Sequence, residues 1–161
     1  MRKVLKSIGI VVCSCILTAT PVMGATAQQV EYMDGEQWKQ TVVHMYDRRG
    51  NWIADGMLSI SNPRNGKIGI YMSTLCHQPV DEIEMSIAID QYKGYWDQVD
   101  YLTYNFYPED GESLVKATVD IELPGHEVDQ LYKLRGTHIV YVNSGSESLD
   151  SETGDMLITD H

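Results

Sequence analysis

Trp96, Tyr101, Tyr104 and Tyr107 fall in one short stretch, WDQVDYLTYNFY, interleaved with Asp97, Asp100 and Asn105. Aromatic faces beside carboxylates and amides suit two kinds of ligand. A sugar ring stacks its C–H face on the aromatic ring while its hydroxyls bond to polar neighbours. A protein partner uses Tyr and Trp as anchors, each apolar in body and polar at the tip. The same residues also pack well on any pleated strand, so core packing explains them equally. Strict alternation puts Trp96, Leu102, Tyr104 and Phe106 on one parity and Val99, Tyr101 and Tyr107 on the other. Tyr92 and Tyr95 stand at the preceding turn. If one parity packs inward, the other stays near solvent. The candidate contact residues are Trp96, Tyr101, Tyr104 and Tyr107.

Other chemistry is thinner. Glu109-Asp110-Gly111-Glu112 and Asp150, Glu152 and Asp155 fall in expected loops, where hard oxygen ligands suit a calcium ion, but neither has EF-hand spacing. They read as solvated loop charge. The five histidines, His44, His77, His126, His138 and His161, form no HxxxH or HExxH pair. Cys76 and His77 are neighbours whose side chains point apart on a strand. His138 shares the parity of Tyr132 and Leu134, which suits a buried, hydrogen-bonded ring or a bulge. There is no GxSxG elbow, no Gly-rich phosphate loop and no cysteine in a catalytic context. The expectation is therefore a non-enzyme with no metal site and no cofactor.

Arg2, Lys3 and Lys6 precede a short apolar run at 8–17, and Ala25-Thr26-Ala27 supplies a small-x-small cleavage pattern. That order is a secretory signal peptide over 1–27, too short in its apolar part to span a membrane. Its removal takes three of the 12 basic residues and none of the 23 acidic ones, so the exported chain is more acidic than the −11 of the whole. Nucleic acid and anionic lipid both require counter-charge, so neither is an expected partner. Cys13 and Cys15 leave with the leader. Cys76 then has no internal partner, and the fold must rely on its core. A secreted monomer released to the exterior is the expected form.

The elements that must position these residues are strands. Ile68, Ile70 and Met72 alternate with polar neighbours, as do Ile83, Met85, Ile87 and Ile89, and so do Val115, Ala117, Val119, Ile121 and Leu123. Gly, Pro, Asn and Asp at 62–66, 93–94, 109–111 and 124–125 mark reversals. The pattern predicts about seven strands, near 55–61, 67–74, 82–92, 96–107, 113–123, 131–142 and 155–159. Residues 144–154, rich in Ser, Gly and acid, read as a mobile loop. Residues 28–51 read as a partly ordered N-terminal arm, in which 41–46 is either helical or a strand. Residues 52–161 form the domain, an all-β antiparallel sandwich.

Leu123-Pro124-Gly125-His126 followed by Tyr132-Lys133-Leu134-Arg135-Gly136 resembles the E–F corner and F strand of fibronectin type III domains. The resemblance implies an immunoglobulin-like or fibronectin-like sandwich with Tyr132 as its corner tyrosine and Leu134 beneath it. The gap from Pro124 to Tyr132 is longer than in that family, and the early strands lack its core tryptophan. A second likeness covers about residues 55–159. The segments GKIGIYMST, VDEIEMSIAIDQY, YKLRGTHIVYVNSGSES and TGDMLIT resemble a family of small exported proteins of Gram-positive anaerobic bacteria whose function is unknown. It implies export and one β domain, and transfers no catalytic residue. The function expected is a secreted, non-enzymatic binding or interaction module for an unknown protein or polysaccharide. A small carbohydrate-binding module using the aromatic strand is the alternative, and a secreted enzyme with an unrecognised site is a weaker one.

Overall fold

Period-two alternation builds two antiparallel sheets that face each other across a single apolar layer. The computed structural model of the protein describes Gln28–Gln29, Gln40–Met45 and residues 50–161, and the expected signal peptide lies outside them. Strands β1 (Gln28–Gln29), β2 (Gln40–Met45), β3 (Ile53–Ser61), β4 (Ile68–Val80) and β7 (Leu114–Leu123) form one sheet in the order β1-β2-β3-β4-β7. The second sheet holds β5 (Glu82–Tyr92), β6 (Trp96–Phe106), β8 (Gln130–Val142), β9 (Gly145–Glu152) and β10 (Met156–Ile158). Its order is β6-β5-β8, with β9 and β10 sharing the far side of β8. No element among the described residues is a helix. The fold is an all-β antiparallel sandwich.

The core is the sum of the inward parities. Leu58, Ile60, Ile68 and Met72 come from the first sheet, and Ile83, Met85, Ile87, Ile89, Leu134 and Val140 from the second, all fully buried. Each such side chain contributes about 1.5–3 kcal/mol of transfer free energy. Asp81 alone separates β4 from β5, so the chain changes sheets there in one step. Between 41 and 46 the strand alternative is the one realised, since Gln40–Met45 pairs antiparallel with β3 from Ser61 to Gly56.

Three features depart from the sequence reading. Residues 144–154 are not a loop: Gly145–Glu152 is a strand in register with Arg135 to Val142. Its only large apolar residue is Leu149, so the hydrophobic pattern left it invisible, and Asp150 and Glu152 stand on a strand instead of a loop. Val115 is 39% exposed although it shares the parity of buried Ala117 and Val119. The β4–β7 register breaks between Leu75↔Lys116 and Val80↔Leu114, and Val115 falls inside that break without a register partner on β4. The third departure, a bulge in β6, decides which aromatics face solvent.

Cys76 lies on the inner face of β4, buried, while adjacent His77 is exposed. Burial, with a smaller contribution from the charge of Glu147, pushes its thiol up to about 11. The thiolate is the reactive species, so native Cys76 is expected to resist iodoacetamide at neutral pH and to react only on unfolding. Peptide mapping of the labelled protein checks this, and rapid native labelling at Cys76 would contradict it.

Candidate functional site

The outward parity of the second sheet forms a lattice of cross-strand rows that can be read from its register. Tyr92 opposes Trp96, and Asp90 lies between Gln98 and Lys133. Ala88 lies between Tyr101 and Arg135, Ser86 between Thr103 and Thr137, and Glu84 between Asn105 and Ile139. Glu82 opposes Tyr141. The register shifts between Ile89 and Asp90, where β5 advances one residue while β6 advances two, past Val99. This bulge exchanges the parities of β6. Trp96 and Tyr101, which strict alternation separates, therefore share the solvent face at 38% and 56% exposure. Tyr107, just past the strand, is 58% exposed. Tyr104 is instead half-buried and packs with Leu102 and Phe106 against the core.

The face is ordered by a network of polar contacts. The Arg135 guanidinium donates from Nε and Nη2 to the two carboxylate oxygens of buried Asp90, at 2.7 and 2.9 Å, and from Nη2 to Gln98 Oε1 at 3.0 Å. This fork-on-fork pairing is the strong form of an Arg–carboxylate contact, and Asp90 holds the Arg135 proton more firmly than usual. Lys133 pairs with Glu152 and places its ammonium 5.0 Å from the centre of the Trp96 ring. Tyr92 packs against Trp96 at 5.3 Å and a 59° tilt. At the opposite end Tyr107 donates to Glu82 Oε1 at 2.9 Å and Tyr141 to Glu84 Oε2 at 3.2 Å. Residues of this outer face outside the predicted set are Tyr92, Lys133, Arg135 and Tyr141. Tyr92 is marked in the sequence by its place at the turn before the aromatic stretch, and the other three by their outward parity alone.

Strand β6 is the edge of its sheet, but its rim is blunted. The Asp100 carboxylate accepts the N–H of Tyr101 at 2.7 Å, and the bulge twists the strand beside it. Both devices oppose pairing with another strand. What the sheet offers is its face.

Two structural clusters brace this face from within. Tyr132 and Leu134 are fully buried, and the Tyr132 hydroxyl donates to the Glu127 carbonyl at 2.8 Å. Burial, then the Glu127 charge, raises the Tyr132 hydroxyl above the ordinary tyrosine range. The turn it ties takes left-handed backbone at Gly125 and Asp129 (φ 90° and 57°). His138 bridges the sheets, with Nδ1 2.8 Å from Thr74 Oγ1 on β4 and Nε2 3.1 Å from Ser151 Oγ on β9. Ser151 passes its own hydroxyl proton to the Gly136 carbonyl. Nε2 is then the donor and Nδ1 accepts from Thr74, a relay that uses every proton with the ring neutral. A Cβ at Gly56 would come within 3.1 Å of Nε2, so glycine gives the ring its room.

Glu147 is the other residue that alternation could not flag. Its carboxylate accepts the backbone N–H groups of Asn51, Trp52 and Ile53 at 2.8, 2.9 and 3.0 Å, which fastens the start of β3 to the β8–β9 hairpin. A shallow groove of about 290 Å³ lies on the outer face of the first sheet. Ser61, Gly69, Tyr71, Asp120 and Glu122 line it, and Glu122 is held below the usual carboxylate range by Lys67 and Asn65. Among the described residues no three His, Cys, Asp or Glu side chains converge into a metal-binding group. Comparison with protein-family models, curated proteins and solved structures found no match to this chain.

Proposed function

We propose that this chain is an exported, non-enzymatic binding module, and that it meets its partner with the outer face of the β6–β5–β8 sheet. The observation that supports the reading most is the exposure of Trp96 and Tyr101 on a hydrogen-bonded strand, with Tyr92 opposite Trp96 and exposed Tyr107 just past the strand end. Aromatics fixed on a sheet lose little conformational freedom on binding, which is what an anchor requires. Large exposed aromatics spaced along one sheet face, with polar rows between them, are the composition of an interaction surface. The ion pairs within it hold the rows in place, with the Lys133 ammonium set over the Trp96 ring.

The finer likeness to fibronectin type III and immunoglobulin-like domains belongs to the same proposal. It draws support from the order β3-β4-β7 facing β6-β5-β8-β9, and from the Tyr132 hydroxyl tied to the backbone five residues upstream. Such domains carry many ligands, so the fold alone chooses none. The carbohydrate reading keeps one observation of its own. Tyr101 stands beside Thr103, Gln98 and Arg135, an open ring with donors and acceptors at its rim.

The test is thermal melting of the purified protein against neutral polysaccharides and charged peptides. A ligand bound only by the folded state raises the melting temperature by mass action. The account expects a rise with at least one ligand, lost in Trp96→Ala/Tyr101→Ala and kept in Tyr71→Ala on the opposite sheet. Loss in Tyr71→Ala alone would move the function to the first sheet.

A further inference from the structure

We infer that the partner is a basic, extended protein segment laid along this face, with a lysine or arginine side chain seated over Glu82 and Glu84 between Tyr107 and Tyr141. The inference rests on the reading of the face as the contact surface and adds the chemistry of what it contacts. The face is electrically lopsided. At its Trp96 end each base of the face has an acid, Lys133 with Glu152 and Arg135 with Asp90, and Lys93 in the adjoining turn pairs with Asp97. At its Tyr107 end Glu82 and Glu84 meet tyrosine hydroxyls only, and among the described residues no Lys or Arg lies within ion-pair distance of either.

A carboxylate bonded to a tyrosine keeps its charge and free lone pairs. Two such carboxylates flanked by two tyrosine rings offer a cation both charge and π-faces, and Arg and Lys use both. Burial, then the bond to Glu84 and the charge of Glu82, raises the Tyr141 hydroxyl, in keeping with an uncompensated negative field at that end. The whole chain carries 23 acidic against 12 basic residues, so the long-range field also favours a basic partner. The face runs from Glu82 to Tyr92 along β5, about 33 Å, the length of about ten extended residues. The blunted rim of β6 directs that segment onto the face and away from strand addition.

The test is isothermal titration of the full-length protein with an alternating Lys-Ser peptide of about ten residues, and with Glu-Ser and Gln-Ser peptides of equal length. At about 0.15 M salt only the Lys-Ser peptide is expected to bind. Glu82→Gln/Glu84→Gln keeps both tyrosine bonds, because an amide oxygen still accepts them, yet is expected to weaken binding by at least about tenfold. Asp120→Asn/Glu122→Gln makes the same charge change on the other sheet and is expected to alter it by less than about twofold. Equal loss in the two double variants would reduce the effect to bulk charge and overturn the inference. If the Lys-Ser peptide fails while a neutral glucan binds in a manner abolished by Trp96→Ala/Tyr101→Ala, the face stands and the basic partner falls. If the Lys-Ser peptide binds and Trp96→Ala/Tyr101→Ala leaves it untouched while Asp120→Asn/Glu122→Gln abolishes it, the face itself falls.

Discussion

Acidifying the protein from pH 7 to pH 4 will cost the fold about 3 kcal/mol through His138 alone. Unfolded, this imidazole titrates near its ordinary 6.5; folded, burial holds it down to about 4, against a smaller opposing pull from Asp150. Between those values the unfolded chain binds a proton that the folded chain refuses. Stability is therefore full above pH 6.5 and drains away as pH falls toward 4. The geometry explains the refusal. Thr74 donates to Nδ1, and a proton there would force that hydroxyl to turn and send its own proton to another acceptor, while placing a charge in a fully buried site. Urea titrations across this range check the slope. His138→Gln, which can keep both hydroxyl contacts without titrating, should start less stable at pH 7 and lose much less on acidification. A variant with the wild-type slope would show that other groups carry the acid response.

Tyr132 carries the second large effect. Its ring is fully buried beneath the turn before β8, and His126 meets it edge-on at 5.8 Å. Tyr132→Ala should cost about 3–5 kcal/mol, the range for emptying a large aromatic from a core. Tyr132→Phe keeps the packing and removes only the bond to the Glu127 carbonyl, so about 1–2 kcal/mol is expected. The Phe variant should lose that amount mainly at the turn. Gln91 donates to the Glu127 carboxylate and the Asp129 N–H donates to the Ile158 carbonyl, and both contacts depend on the same loop path. Amide exchange at 125–129 should accelerate more than at Ile87. A Phe variant as stable as wild type would mean the hydroxyl ties nothing.

Strands whose buried parity is apolar throughout were readable without coordinates. Ile83, Met85, Ile87 and Ile89 declare β5 by themselves, and the parity of Tyr132, Leu134 and His138 places all three inside. β9 was not readable, because its inward side chains are Glu147, Leu149 and Ser151. A carboxylate held by three backbone N–H groups and a hydroxyl held by a histidine do the work that apolar residues do elsewhere. The bulge at Val99 was equally silent, since no glycine or proline marks it. Its consequence for the outer face was large: it brings Trp96 to the side of Tyr101, opposite Tyr92 and beside Lys133, leaving Tyr104 on the inner side. The aromatic stretch was legible as a place, while its sidedness required the register.

The outer face of the β6–β5–β8 sheet is the proposed meeting place of this protein and its partner. Hydrogen-exchange mass spectrometry with and without the ligand that raises the melting temperature tests it most directly. Slowed exchange confined to β5, β6 and β8 is expected, strongest around Trp96, Tyr101 and Tyr141, with β3, β4 and β7 unchanged. Protection centred on Tyr71 and Asp120, over the groove of the opposite sheet, would contradict it.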